Sequence, residues 1–159
     1  MNVVEVTREL DREQVPYELI PHRRTETASE EAAELHLDGD EIAKTIVLVG
    51  EHGYVRAVLP ASERLDLHKA RALLGLGKEA RLATEAELAG AYPMFELGAA
   101  PPFGGPAGDR AVLDRRLARR EWLVLEAGTH EESVRVRTRD LIRLTDPQIA
   151  DICETELQS

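Results

Sequence analysis

Cysteine is almost absent: Cys153 is the only one in 159 residues. It cannot close an internal disulfide, and no zinc cluster can be built from it alone. Aromatic residues are scarce as well, limited to Trp122, three tyrosines and two phenylalanines. The core is therefore expected to be mostly Leu, Val, Ile and Ala. No apolar run approaches the ~18 residues of a membrane span. The opening Met1-Asn2-Val3-Val4-Glu5 lacks the basic-then-apolar order of a secretory leader. These absences point to a soluble, cytoplasmic protein in a reducing setting, with no membrane partner.

Net positive charge is also missing. The formal charge is −10, which argues against a general nucleic-acid binder, whose phosphate contacts need Lys and Arg. The distribution is uneven. Glu26, Glu30, Glu31, Glu34, Asp38, Asp40 and Glu41 crowd the first third, while Arg110, Arg115, Arg116, Arg119, Arg120, Arg135, Arg137, Arg139 and Arg143 gather later. Two readings stand: a mixed, solvated surface, or a local arginine face able to hold one end of an RNA.

Val3, Val6 and Leu10 recur at helical spacing, so residues 2–14 read as an amphipathic helix ended by Pro16. Tyr17 to Ile20 is a short strand. Thr27 and Glu30 fit a capping box for a helix to about His36. Lys44 to Val49 and Tyr54 to Leu59 pair as a hairpin closed by Pro60. Asp66 caps a helix through Leu74, which stops at Gly75. Arg81 to Ala83 is a strand, and Thr84 with Glu87 opens a helix to about Gly90. After a Pro/Gly-rich loop over 93–108, strands return at 111–113, 121–127 and 133–137. Asp146-Pro147 is expected to start a closing helix with Ile149, Ile152 and Cys153 on its inner stripe. Hairpins mixed with helices and no linker predict one α+β domain over 1–159, built on a mixed sheet or partly closed barrel with flanking helices.

Several common machines are missing too. There is no G-x-S-x-G elbow. Gly104-Gly105-Pro106-Ala107-Gly108 lacks the Lys-Ser/Thr end of a P-loop. His22, His36, His52 and His68 are too dispersed for a local metal motif, so neither metal nor cofactor is implied. Cys153 reads as a small core residue.

Three places remain for chemistry. Lys44 heads a strand: it either snorkels to the rim or presents a cation against an apolar wall, ready for a phosphate or a polar ester. In the loop Glu96 to Gly105 the paired prolines stiffen the backbone, the glycines allow close approach to a ligand, and Phe103 can wall a pocket. The other reading is a rigid surface turn. Gly128-Thr129-His130 lies between two strands, where the histidine either faces a cleft or is merely exposed.

In order and spacing, these segments resemble the YbaK/EbsC family, also called the ProX or prolyl-tRNA-synthetase-associated editing domain, over roughly residues 18–145. The marks are Thr27-Ala28, Ile42-Ala43-Lys44-Thr45-Ile46-Val47, Leu59-Pro60-Ala61 with Arg64-Leu65-Asp66, and Leu74-Gly75. Further marks are Arg81-Leu82-Ala83, Gly98-Ala99-Ala100-Pro101-Pro102-Phe103-Gly104, Ala127-Gly128-Thr129-His130 and Asp140-Leu141. The resemblance implies a barrel-like mixed sheet and hydrolysis of the ester joining a misplaced amino acid to the 3′-terminal adenosine of tRNA. By it, Lys44 holds the tRNA end, Gly98 positions water through its backbone, and His130 contributes to the site as it does in some branches. Thr45, Ala99, Pro101, Pro102, Phe103, Gly104, Gly128 and Thr129 are expected around the substrate. The loop departs from better-studied members in its extra proline and glycine, and Met94-Phe95-Glu96 precedes it. The implied partners are the acceptor end of an aminoacyl-tRNA and an aminoacyl-tRNA synthetase. The competing readings are an inactive tRNA- or synthetase-binding module and a hydrolase of other aminoacyl or peptidyl esters.

Overall fold

The computed structural model of the chain describes residues 3–104 and 109–155. Helix α1, Val3–Arg12, buries Val6 and Leu10 in the main core, as their spacing requires. Asn2 and the side chain of Val3 lie outside the described residues. Strand β1 is Tyr17–Pro21. Helix α2, Ala28–Glu34, is capped by Thr27, whose side chain accepts the Glu30 N–H. The Glu30 carboxylate reaches back to the Glu26 N–H at 2.7 Å, one residue beyond the Thr27 N–H that a reciprocal capping box would engage. A short 3-10 turn, Gly39–Glu41, leads into the hairpin of β2, Ile42–Gly50, and β3, Gly53–Pro60. Asp66 caps α3, Leu67–Leu74, and Gly75 ends it with φ 62°, a conformation in which glycine avoids the Cβ penalty. Strand β4 is Arg81–Leu82. The full Thr84/Glu87 capping box opens α4, Glu85–Ala91.

The second half supplies β5 (Arg110–Asp114), α5 (Arg115–Ala118), β6 (Trp122–Glu126), β7 (Glu132–Arg137), α6 (Thr138–Thr145) and β8 (Gln148–Ala150). The eight strands form one mixed sheet in the order β1-β7-β6-β2-β3-β5-β8, with β4 beside β2. The β2–β6, β3–β5 and β5–β8 pairings are parallel, and the rest are antiparallel. This is the α+β architecture expected from the order of elements. Alternation along the strands divides the interior. Ala43, Val47, Leu123 and Leu125 join the main core with α1 and Leu141 of α6. Leu48, Leu59 and Val112 pack with α3. Ile42 and Val124 pack with Ala32 of α2. No helix among the described residues is long and apolar enough to cross a membrane.

The chain end differs from expectation. The helix lies before Asp146, not after it: Leu141, Ile142 and Leu144 pack on the main core. Asp146, at φ 44°, is the left-handed residue that stops α6. Pro147 follows, as it commonly follows a helix end, and the chain becomes β8. Ile149 is 47% exposed, while Ile152 and Cys153 are fully buried. A residue that is good at opening a helix was in fact closing one.

One buried charge organises the loop after α4. Arg56 projects from the middle of β3 and is almost wholly buried. It donates to the Pro101 carbonyl at 2.8 Å, to the Gly104 carbonyl, and to Asp109 Oδ2 at 3.1 and 2.9 Å. The Tyr92 hydroxyl donates to the same carboxylate at 2.6 Å, and the guanidinium lies 4.8 Å from the Tyr92 ring centroid. Burial and Asp109 together push the Tyr92 phenol above its usual pKa. Arg56→Met leaves two loop carbonyls unmet in the interior and strips Asp109 of its counter-ion, so we expect a loss of ~3–5 kcal/mol in unfolding free energy. Urea denaturation of the variant against wild type measures it.

Candidate active site

A small cleft of about 150 Å³ opens where β2, the start of α2 and the loop after α4 meet. It is lined by Glu26, Thr27, Ala28, Ala43, Lys44, Thr45, Ile46, Gly98, Ala100 and Glu126. Of the expected residues, Lys44, Thr45 and Gly98 come together here. Lys44 is held, not loose: its Nζ donates to the Glu63 carbonyl at 2.6 Å. Burial pushes its ammonium below the usual lysine pKa; nearby Cys153 acts the other way, and Arg64 adds to the fall.

The remaining loop residues are placed behind this wall. Ala99, Pro101, Pro102 and Phe103 are buried, and Phe103 packs into the main core with Phe95 and Tyr92, not in the cleft lining. Gly104, at φ 78°, offers its carbonyl to Arg56. Gly105 to Gly108 lie outside the described residues. The loop is laced to the turn between β6 and β7. Glu96 N–H donates to the Gly128 carbonyl at 2.8 Å, and Gly128 N–H returns to the Ala99 carbonyl at 3.1 Å. Glu96 Oε2 accepts the His130 N–H at 3.1 Å. Although burial alone would raise it, the Glu96 carboxyl sits below its usual pKa because of that bond and the nearby Arg24. Thr129 Oγ1 accepts the Glu131 N–H at 3.3 Å.

His130 is neither exposed nor part of the cleft lining. It is 4% exposed, and its Nε2 lies 2.6 Å from the Leu97 carbonyl. Because a carbonyl only accepts, Nε2 carries a proton. Two acids lie beneath it that were not singled out in the sequence. Glu126, at the end of β6, brings Oε2 to 3.2 Å from His130 Nδ1. Glu31, on α2, accepts the Ser133 hydroxyl, and His22 Nε2 lies 2.9 Å from that hydroxyl oxygen. Burial lifts the Glu126 carboxyl to about 9, helped by Glu31, Glu96 and Glu26. It also lifts Glu31, against the Ser133 hydrogen bond. A charged side chain closing an apolar strand was the only signal for Glu126.

Cys153 donates its thiol to Asp114 Oδ2 at 3.2 Å, and burial with that bond pushes it up to about 12, far from a thiolate nucleophile. Among the described residues no group of three or more His, Cys, Asp or Glu is placed to hold a metal ion. The arginine face is largely consumed by local partners. Arg116 binds Asp114 and Asp151, Arg120 binds Asp40 and Glu41, and Arg135 and Arg137 stack on Trp122. A larger groove of about 510 Å³ lies toward the other end of α2, beside Leu35, Leu37 and Trp122, and contains none of the expected site residues.

A mixed eight-stranded sheet with a lysine and a glycine loop meeting in one cleft defines a YbaK-like editing fold, and comparison with known structures agrees. The hypothetical protein APE2540 superposes with TM-score 0.86 at 26% identity, covering 94% of this chain and 99% of that one. A protein provisionally assigned as a trans-editing enzyme for prolyl tRNA synthetase superposes with TM-score 0.85 at 29% identity, covering 96% and 97%. A scaffold used for computational epitope grafting shares the fold, with TM-score 0.87 at 24% identity over 97% of each chain. Residues 22–144 match the aminoacyl-tRNA editing domain family, and the chain belongs to it. No curated protein sequence matches significantly. Family membership supports a role in aminoacyl-tRNA editing.

The buried acid has a consequence for stability. Folded, Glu126 keeps its proton to about pH 9; unfolded, it loses it near 4.5. Between these values the folded state binds the extra proton, so stability falls as pH rises. Glu126→Gln should abolish this slope, and its Tm should gain on wild type progressively from about pH 5 to about pH 9. Parallel melting profiles in both proteins would contradict the assignment.

Proposed function

We propose that the chain is a trans-acting aminoacyl-tRNA deacylase. Water attacks the ester carbonyl, the bond to the 3′-terminal adenosine breaks, and the ribose hydroxyl leaves with a proton. The observation that carries this reading is the convergence of Lys44 and Gly98 on one small cleft within an editing fold. The solved relative provisionally assigned as a trans-editing enzyme for prolyl tRNA synthetase supports the trans-acting form and a synthetase partner.

Each part has a physical role. Lys44 supplies a fixed cation beside the mouth, suited to the phosphate and ribose oxygens of the tRNA end. Gly98, at φ 81°, turns the backbone in a way side chains rarely allow, and its N–H is suited to a water or a developing oxyanion. An aminoacyl ester is already activated, so holding water and ester together accounts for much of the rate without a covalent nucleophile. A cleft of about 150 Å³ admits small side chains and excludes large ones, the sieving that editing requires. Thr45 and Ala100 form part of its wall, while Ala99, Pro101, Pro102, Phe103 and Gly104 stiffen the loop from behind.

The test is deacylation of a panel of mischarged tRNAs by the purified protein. Small aminoacyl groups should be released faster than bulky ones, and free aminoacyl esters should react poorly. Lys44→Ala should lower kcat/KM by ~10- to 100-fold, the range for one charged hydrogen bond, with an unchanged circular dichroism spectrum. Hydrolysis by the variant at the wild-type rate would remove Lys44 from the site. Gly98→Val, at a positive φ where an added Cβ would also lie 3.6 Å from the His130 ring, should cost ~100-fold in kcat through displacement of the loop. Unchanged kinetics would place the chemistry elsewhere.

A further inference from the structure

The unexplained feature of this site is the pair of facing atoms beneath the loop. His130 Nδ1 and Glu126 Oε2 lie 3.2 Å apart, both are shut off from solvent, and neither has an aligned hydrogen-bond partner. Nε2 of the same ring is already committed as a donor to Leu97. A neutral His130 therefore turns a bare lone pair toward Glu126, and an ionised Glu126 would return another. Two unpaired acceptors in a dry interior repel, and each forfeits its hydration. One proton between them removes both penalties, whether it sits on the carboxyl or makes the imidazolium.

We propose that Glu126 and His130 share a single proton, and that this pair is the positioning device that sets the Leu97–Gly98 peptide for deacylation. The proposal rests on the deacylase reading and adds Glu126 to it. The coupling is geometric. The shared proton fixes the ring, and the ring holds the Leu97 carbonyl. In a planar trans peptide the N–H points opposite to the C=O, so the Gly98 N–H is turned away from His130, and the glycine that carries it lines the cleft. Glu126 acts through His130, and His130 acts through the backbone. The groups facing Glu126 are Glu31 on α2, Glu26 before it, Glu96 in the loop, His130, and Lys44 across the cleft. Burial first, and the three other acids after it, oppose its ionisation, so the proton is retained at neutral pH.

Two measurements decide the matter. The first is independent of activity: nitrogen-15 spectra of the histidine rings in the full chain. Wild type should show His130 Nε2 protonated throughout, with Nδ1 hydrogen-bonded at neutral pH. A neutral ring protonated on Nδ1 alone overturns the proposal. The second is kcat against pH for wild type, Glu126→Gln and Glu126→Ala. The Gln amide donates to Nδ1 with no proton to lose, so kcat at neutral pH should stay within ~5-fold of wild type. Truncation to Ala frees the ring and should cost ~100-fold, the scale of a misplaced reacting group. Wild-type kcat should fall on the alkaline side as the shared proton leaves, and Glu126→Gln should lack that limb. An alkaline limb retained in Glu126→Gln, or wild-type kcat in Glu126→Ala, overturns the proposal. Should no tRNA in the panel be deacylated by wild type, the functional reading fails by itself, and the ring spectra still decide whether the proton is shared.

Discussion

Much of this structure depends on one guanidinium. Arg56 stands in a strand whose other members are apolar, and the sheet buries it completely enough that its charge must be met from within. It is met by a loop: two carbonyls from the proline-glycine segment, and Asp109 just before β5. Burying an ion pair brings little net stability compared with a well-packed apolar substitute. What this pair provides is position. A segment with almost no regular secondary structure is fastened from below by Arg56 and from the side by the Gly128 turn. Its outer edge, Gly98, can then form one wall of a cleft without being part of a helix or strand.

Around the cleft, burial is the largest influence on Lys44, Glu126 and Glu31. The same dry environment weakens the hold of Lys44 on its proton and strengthens that of Glu126 and Glu31. Desolvation drives acids and bases toward neutrality in opposite directions. Of the two acids that line the cleft, Glu126 is thereby kept protonated at neutral pH, so the wall is less negative than its residues indicate. A formal charge of −10 is thus compatible with the polyanionic substrate proposed for this cleft. The arginines do not need to supply the compensation, and most of them are bound to neighbouring carboxylates or to Trp122.

Features written in neighbouring residues were legible in the sequence. The β2–β3 hairpin, the caps at Thr27, Asp66 and Thr84, and the stop at Gly75 all depend on contacts within a few positions. The order of motifs over residues 18–145 was legible as well and pointed to the editing fold; it also drew attention to Lys44 and Gly98, which the fold brings to one cleft. Helix α6 escaped notice because no side chain caps it: Arg137 makes no such bond. Asp146-Pro147 was misread because Asp and Pro punctuate both ends of helices. The importance of Arg56, Glu31 and Glu126 was illegible for a different reason. The partners of Arg56 and Glu31 lie far along the chain, 45 residues away for Pro101 and 102 for Ser133; Glu126 meets His130 only four residues on, but the burial that gives the pair its character comes from distant packing. His130 is marked by its motif, but its burial depends on the same long-range packing.

The sheet order also dictates when the molecule can come into being. β1 is the first strand made, yet among the described residues its sole partner is β7, with Tyr17 opposite Val136. β2 must wait for β6, pairing Ile42 with Val124. The hairpin of β2 and β3 can close early, because its ends are near in sequence, but both walls of the cleft are completed only when the last third of the chain arrives. Such non-local pairing slows folding. During synthesis the emerging N-terminal half therefore carries open strand edges and an unmet buried-to-be arginine, and it depends on the ribosome-proximal residues to finish it. A truncated chain ending before β6 would keep the lysine and lose the cleft.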